Sequence, residues 1–260
     1  MQDNEFDLNI NLPPLKRKQN DFVMRYAVNG GNEFEAYKYA YNCKNMKSLN
    51  INNFKTSEVN NTKYMFSGCS KLTTLNLINF DTSKIQYMNN MFENCSSLKS
   101  LDLSSFNTSS VSDMSYMFRG CNNLKNLEIY NFNTSKVKNL QYMFSDCNNL
   151  KTLDLSQFKT KKCENMEGML VNCTNLECLD LSNLDTRSVT NMENMFSGCN
   201  NLLYLDLNSF NFTKVNNINN MFKNCNSLVY LNFGNLEKQI PINKDDVTDL
   251  FYNIFEDINI

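Results

Sequence analysis

Cysteines and acids are the side chains in this sequence that could carry chemistry. The chain of 260 residues has ten cysteines and no histidine, so it lacks the side chain most often used for proton transfer near neutral pH. Eight cysteines recur every 26 residues, at Cys43, Cys69, Cys95, Cys121, Cys147, Cys173, Cys199 and Cys225. Closely spaced thiolates would bind zinc, whereas one thiol per 26-residue step is typical of a buried core ladder. We therefore expect reduced, buried cysteines and no metal.

A column of acids follows the cysteines at a fixed distance. With each cysteine numbered as position 0 of its repeat, position 7 is acidic in five consecutive repeats, at Asp102, Glu128, Asp154, Asp180 and Asp206. Like charges stacked at strand spacing repel, so they need hydroxyl partners, bound cations or a basic ligand. Serines at position 9 (Ser104, Ser156 and Ser182) could donate hydrogen bonds. A structural ladder and a binding site therefore both remain open.

Three tyrosines are expected to point outward beside these acids. Tyr130 stands at position 9, and Tyr204 and Tyr230 stand at position 5 of their repeats. A rigid aromatic ring buries contact area at little entropic cost, which makes tyrosine beside acid a good surface for another protein. We predict that the face from Asp102 to Tyr230 binds a protein or peptide partner with basic groups.

The sequence gives little support for other classes of function. There is no Gly-rich phosphate loop, and the acids follow the repeat instead of interrupting it, so we expect a protein that is not an enzyme and uses no cofactor. The formal net charge of −2 and a pI near 5.4 argue against strong binding to nucleic acid phosphates. No stretch approaches 18 uninterrupted apolar residues, so we expect no membrane span.

Apolar residues at fixed positions indicate which elements hold these side chains. Position 6 is leucine in all eight repeats, and positions 3, 8 and 11 are apolar throughout. The alternation around positions 6 and 8 has the period of a strand with one buried face. Later in the repeat, Val111, Met114, Met117, Phe118 and Cys121 have the spacing of one face of a short helical turn.

Polar residues flank that predicted helical turn at both ends. The segment 107–109 (Asn-Thr-Ser) is of the type that caps a helix at its N-terminus. The residue before each cysteine is Gly, Asn or Asp, the types that best tolerate positive φ at a helix exit. One repeat is thus predicted as a strand, a turn, a capped short helix and a left-handed exit.

A single repeat of this kind cannot bury its apolar groups, but stacked repeats can. The sequence "MFENCSSLKSLDLSSFNTSSVSDM", residues 91–114, resembles the 26-residue repeat of the BspA-like leucine-rich repeat family of bacterial surface proteins, of the mycoplasma and listeria lipoprotein type. The resemblance implies an α/β repeat solenoid: a right-handed leucine-rich-repeat stack with a parallel strand ladder on one face and short helical turns on the other. It also implies a role in adhesion or host-protein binding.

The two ends of the chain depart from the repeat. We predict an N-terminal helical cap at 1–42, repeats at 43–236 and a C-terminal helical cap at 237–260, where Val247, Leu250, Phe251 and Ile254 share one helical face. Residues 15–46 also resemble the N-terminus of phage terminase small subunits. That likeness leaves open an alternative function, a phage-derived or DNA-associated protein.

The sequence also gives expectations about the location of the protein and its oligomeric state. The family resemblance implies the cell surface, but the N-terminus shows no apolar segment of a signal peptide, so the sequence as written predicts a cytoplasmic protein and the location stays open. We expect a monomer.

Overall fold

The computed structural model of the protein describes residues 40–49, 51 and 56–234. Across these residues the chain winds in successive coils of 26 residues, each beginning at a cysteine of the ladder. Each coil contributes one short parallel strand: β1 Ser48–Leu49, β2 Thr74–Leu75, β3 Ser100–Asp102, β4 Asn126–Glu128, β5 Thr152–Leu153, β6 Cys178–Leu179, β7 Tyr204–Asp206 and β8 Tyr230–Asn232. The predicted solenoid with a parallel strand in every repeat is confirmed.

The strands pair two by two, so the single parallel ladder predicted along this face is wrong. β1 pairs with β2, β3 with β4, β5 with β6 and β7 with β8, each pair parallel and in register. The N–H of Lys125 donates to the carbonyl of Lys99 at 2.9 Å and closes the β3–β4 pair. The equivalent N–H of Lys99 makes no such bond to β2, so the strand side of the described coils is interrupted between pairs.

The side of the solenoid opposite the strands is held by a different ladder. Isolated parallel bridges join every neighbouring pair of coils from Asn61 to Asn217. The N–H groups of Tyr116 and Phe118 donate to carbonyls of the next coil at 2.8 and 2.9 Å. Between them, the N–H of Met117 donates three residues back within its own coil, to Met114, at 3.3 Å. Inter-coil bonds therefore alternate with tight turns.

The predicted helical turn at this side is wrong, because the described residues contain no helix. Two residues per coil adopt positive φ, and the first lies inside the segment that was predicted to be helical. At position 21 these residues are Tyr64, Asn90, Tyr116, Tyr142, Gly168, Asn194 and Asn220. A left-handed residue cannot continue a right-handed helix, so the segment folds as turns. The second set, at position 25, confirms the predicted left-handed exit, for example Asn94 at 57° and Gly120 at 72°.

The helical caps predicted at both ends fall on residues outside the described part of the chain, apart from residues 40–42, which form no helix. Domain boundaries and the right-handed sense of the stack stay predictions. Short helical turns on one face, and with them the α/β class, are not found among the described residues, whose regular elements are strands and turns.

The core is a set of ladders in which each side chain packs on its counterpart in the next coil. Phenylalanines at position 23 stack with ring centroids 5.5 Å apart between Phe66 and Phe92 and 5.7 Å apart between Phe92 and Phe118. These rings are fully buried, as are Met117 and Cys121. Burying each such side chain contributes about 1.5–3 kcal/mol, and no coil obtains that contribution alone.

Polar side chains make the turns between these apolar ladders. Asn or Asp at positions 7, 12 and 18 accepts a hydrogen bond from the backbone N–H two residues later. In one coil the acceptors are Asp102, Asn107 and Asp113, at 2.9, 3.1 and 2.9 Å. Because such a side chain stabilises a reversal of the backbone, three of them turn the chain three times per coil. The abundance of Asn and Asp in the sequence is thereby explained.

A buried threonine at position 13 joins successive coils. The Oγ1 of Thr108 accepts a hydrogen bond from the N–H of Asn133 at 2.7 Å and donates to the carbonyl of Asn133 at 3.1 Å. Thr82 and Thr186 make the same pair of bonds to their own neighbouring coils. One hydroxyl therefore satisfies both backbone groups of a residue in the next coil.

We predict that Thr108→Val lowers the free energy of unfolding by about 1–3 kcal/mol, because it leaves the backbone groups of Asn133 without their partner. The matched control is Thr152→Val, the same change at an exposed position whose hydroxyl makes no hydrogen bond to the described residues, and it should stay within about 0.5 kcal/mol of the wild type. Urea unfolding followed by circular dichroism measures both. Equal effects of the two changes would contradict the bridging role.

Candidate interaction surface

The predicted partner-binding residues all lie exposed on the strand side. Asp102 of β3 is in register with Glu128 of β4, and Tyr204 of β7 is in register with Tyr230 of β8. Asp154, Asp180 and Asp206 repeat the outward position in their own coils, and Tyr130 follows β4. We call this surface, made of positions 5, 7 and 9 of the coils, the strand face.

The aspartates of this column hold turns in the backbone. Oδ1 of Asp102 accepts from the N–H of Ser104, and Oδ1 of Asp154 accepts from the N–H of Ser156, both at 2.9 Å. Hydrogen bonds from the Ser104 hydroxyl and N–H hold the pKa of Asp102 below its ordinary value, because they favour the charged form. Each bond leaves the charge at the surface. The serines that the sequence suggested as partners therefore bond to these aspartates through their backbone N–H groups.

Asparagine makes the same turn at the ends of the column. Oδ1 of Asn76 accepts from the N–H of Ile78 at 3.1 Å, and Oδ1 of Asn232 accepts from the N–H of Gly234 at 2.9 Å. Asparagine thus serves this turn as aspartate does, so the turn does not require a negative charge at position 7. Acid in five central coils is an addition to what the fold requires.

The tyrosines fall into two places on the strand face. Tyr204 and Tyr230 lie side by side, with ring centroids 6.2 Å apart and exposed fractions of 63% and 48%. Tyr130 is 52% exposed and lies three coils from Tyr204. The structure thus brings two of the three predicted aromatic contacts together.

Lysines border the acid column, and sequence reasoning missed them. Position 4 is lysine in four coils, and Lys99, Lys125 and Lys151 lie in consecutive coils, exposed, at the start of their strands. Lys151 forms an ion pair with Glu177 of the next coil at 2.9 Å. The strand side therefore carries a basic row beside the acidic one. The spacing of these lysines is as regular as that of the acids and could have been read from the sequence.

A second group of polar and aromatic side chains lies on the turn side, and it too was missed. The rings of Tyr116 and Tyr142 stack with centroids 5.3 Å apart, and the guanidinium of Arg119 lies 5.5 and 5.9 Å from them. Arg119 is flanked by Glu93 at 3.6 Å and Asp146 at 4.0 Å. The signal in the sequence was tyrosine at position 21, where other coils have Asn or Gly.

This turn-side cluster is closed by a glycine in the next coil. The hydroxyl of Tyr142 donates to Oε1 of Glu167 at 2.9 Å. Burial and this hydrogen bond raise the pKa of Tyr142 to about 12. The ring lies against Gly168, where a Cβ atom would collide with it, and Gly168 also has a φ of +55°. The hydroxyl of Tyr142 and the guanidinium of Arg119 thus already have partners within the protein.

An alanine in a left-handed conformation costs about 1–2 kcal/mol. We predict that Gly168→Ala destabilises the protein by more than this amount, because the methyl group also displaces Tyr142. The variant Tyr142→Asn removes the ring and installs the residue type that Asn194 and Asn220 have at the same repeat position. In this background, Gly168→Ala should show the backbone cost alone. Urea unfolding of both single variants and the double variant gives the coupling, expected at about 0.5–3 kcal/mol. Strict additivity would show that the ring does not depend on Gly168.

The cysteines have the surroundings of core residues. Sγ of Cys121 donates to the carbonyl of Phe92 at 3.2 Å, and the same bond recurs along the ladder, for example from Cys147 to Phe118. Burial raises the pKa of the Cys121 thiol to about 12. Such thiols are poor nucleophiles and poor metal ligands near neutral pH. Cys178 is the exposed exception among the ten.

No group of three or more Cys, Asp or Glu side chains in the described coils has an arrangement that could hold a metal ion. No helix in the same part of the chain has the length and hydrophobicity that a membrane crossing requires.

A protein family matches most of the chain. The family described as "Mycoplasma protein of unknown function, DUF285" matches residues 35–153 and again residues 143–254. The chain belongs to this family. Comparison of the DUF285 chain with curated proteins finds no match.

Solved structures similar to the DUF285 chain include bacterial leucine-rich repeat proteins. One from T. pallidum has 20% identity and a TM-score of 0.32 over 56% of this chain and 61% of that one. One from Eubacterium ventriosum has 22% identity and a TM-score of 0.35 over 63% of this chain and 46% of that one. A leucine-rich cell surface protein from Faecalibacterium prausnitzii has 18% identity and a TM-score of 0.31 over 74% of this chain and 68% of that one. Scores this low do not transfer a partner or a location.

The family match confirms the mycoplasma type of the predicted resemblance. Nothing in the family or structure matches supports the terminase resemblance of residues 15–46, which stays a prediction. The alternative function as a DNA-associated protein depends on that segment, of which the structure describes residues 40–46.

Proposed function

We propose that this DUF285 protein is a non-enzymatic protein-interaction module whose strand face binds a basic segment of another protein. The observation that carries the proposal is the acid at position 7 in five consecutive coils. In the coils on either side of these five, Asn76 and Asn232 make the turn at position 7 without a charge. A charge that the fold does not require, kept at the surface in a row, is suited to a partner of opposite sign.

The chemistry of the strand face supports a protein partner over a small molecule. Tyr130, Tyr204 and Tyr230 expose about half or more of their surface beside the acids. Tyrosine is among the residues that contribute most to protein interfaces, and a row of acids attracts basic segments over a distance. Lys99, Lys125 and Lys151 along one edge would orient such a segment by repelling its basic groups towards the acids.

Adhesion at the cell surface is the finer form of this proposal. It is supported by the resemblance of the repeat to bacterial surface proteins, and it requires that the chain is exported. Proteolysis of intact cells followed by immunoblotting tests the location. Loss of the protein from intact cells supports export, and protection until the cells are lysed contradicts it.

The partner chemistry can be tested with short random peptides displayed on phage and selected against the immobilised full chain. We expect enriched peptides to be rich in Lys and Arg and to bind about tenfold more weakly to the double variant Asp154→Asn/Asp180→Asn, because two ion pairs are lost. Asparagine keeps both turns, as it does at Asn76 and Asn232, so the fold is preserved. Fluorescence anisotropy with synthetic copies of the peptides measures the affinities.

The matched control is Asp81→Asn/Asp113→Asn, which removes two charges at positions 12 and 18. Asparagine makes the turn there in other coils, for example Asn107 and Asn139. Peptide affinity should stay within about twofold of the wild type, apart from the small long-range effect of net charge. Equal weakening by the two double variants, or enrichment of peptides without basic residues, would contradict binding at the acid column.

A further inference from the structure

The interruption between β2 and β3 opens a groove in the strand face. No backbone hydrogen bond joins the strand segment of the β2 coil to that of the β3 coil, whereas Lys125 to Lys99 closes the next pair at 2.9 Å. The groove has a volume of about 530 Å³, within the range of about 300–1,000 Å³ that ligand sites in proteins occupy. Nothing in the proposed function assigns it a role.

Four aliphatic side chains line the groove. Leu49, Leu75 and Leu77 line it together with Ile78, which is 63% exposed. Ile78 stands at position 9, where Ser104, Ser156 and Ser182 show that the repeat is satisfied by a small polar residue. A large aliphatic side chain left open to water at this one rim costs solvation free energy that a bound apolar group would recover.

The rim of the groove offers hydrogen bonds. The hydroxyls of Thr74 and Ser100 line it and have no hydrogen-bond partner among the described residues. Because a hydroxyl both donates and accepts, this pair matches the N–H and carbonyl groups of a polypeptide. Aliphatic side chains next to free hydroxyls are typical of a site that takes one side chain and holds the backbone next to it.

The carboxylate of Asp102 adds a negative charge at the same rim. Asp102 lines the groove, and the N–H of Ser104 occupies its Oδ1 at 2.9 Å. The acid column continues from Asp102 to Glu128 in the paired strand. A partner whose apolar side chain enters the groove would therefore place its neighbouring residues at the first acids of the column.

We propose that the groove between β2 and β3 receives the aliphatic side chain of an extended peptide segment whose adjoining Lys or Arg pairs with Asp102. The proposal rests on the proposed function, because it makes the groove the anchor of the basic segment on the strand face. The groove fixes the position of the segment, and the acid column supplies its charge complement.

The test uses the peptides selected on the immobilised full chain and two changes of the groove. Ser100→Tyr fills it with a residue that Tyr204 and Tyr230 show to be accepted at position 5. Ile78→Ser removes one of the aliphatic side chains and installs the residue found at Ser104. We expect the peptides to carry an aliphatic residue beside Lys or Arg, and each change to weaken binding at least about tenfold, as loss of a buried aliphatic contact does.

The matched control is Val229→Ser, which removes a β-branched aliphatic side chain of similar exposure, 69%, five coils beyond the groove. It should leave peptide affinity within about twofold of the wild type. Circular dichroism and urea unfolding of each variant verify that it is folded before its affinity is compared.

The outcomes separate the groove from the proposed function. Basic peptides that lose affinity on Asp154→Asn/Asp180→Asn but bind Ser100→Tyr and Ile78→Ser as tightly as the wild type would overturn the groove and leave the function standing. Failure to enrich any peptide would overturn both. Loss on both groove variants, with Val229→Ser unchanged, supports the groove as the anchor site.

Discussion

No coil of this protein can bury its own apolar side chains, and everything else in the structure depends on stacking one coil on the next in exact 26-residue register. A phenylalanine such as Phe92 is covered by Phe66 on one side and Phe118 on the other. An insertion of one residue would move every ladder out of line at once. The backbone is consequently turned by local side-chain hydrogen bonds and left-handed residues, which fix the length of each coil.

The two sides of the stack differ in how they meet this constraint. On the turn side, backbone bonds join every neighbouring pair of coils from Asn61 to Asn217. On the strand side, the coils pair two by two, so the outward surface is freer to vary and to open. The residues with which we associate binding, the acids from Asp102 to Asp206 and the groove at Ile78, lie on that freer side. Within each repeat, the turn side thus joins neighbouring coils, and the strand side carries the residues proposed to bind a partner.

Much of this architecture follows from the sequence, because a repeated pattern is read eight times over. The strands, the buried cysteines and the left-handed residue before each cysteine could be predicted from one repeat unit. The helical turn was predicted wrongly, because the spacing of Val111, Met114 and Met117 suits a helix and a series of tight turns equally well. The deciding position is 21, where Asn194 and Gly168 are residue types that favour a left-handed φ, whereas Tyr116 is not. The groove was also beyond prediction, because β2 and β3 have the same leucines at positions 6 and 8 as strands that do pair, and Ile78 at position 9 does not by itself indicate a gap.

The groove and the division of the strand face both depend on the two-by-two pairing of the strands. Backbone-resolved amide hydrogen exchange of the full chain tests it directly. The N–H groups of Thr73, Lys125, Glu177 and Val229 bond across a paired boundary, and those of Lys99, Lys151 and Leu203 at the same repeat position do not. We expect slow exchange in the first set and fast exchange in the second. Uniform protection at position 4 in all these coils would contradict the two-by-two pairing, because it would mean that the strands form one continuous ladder.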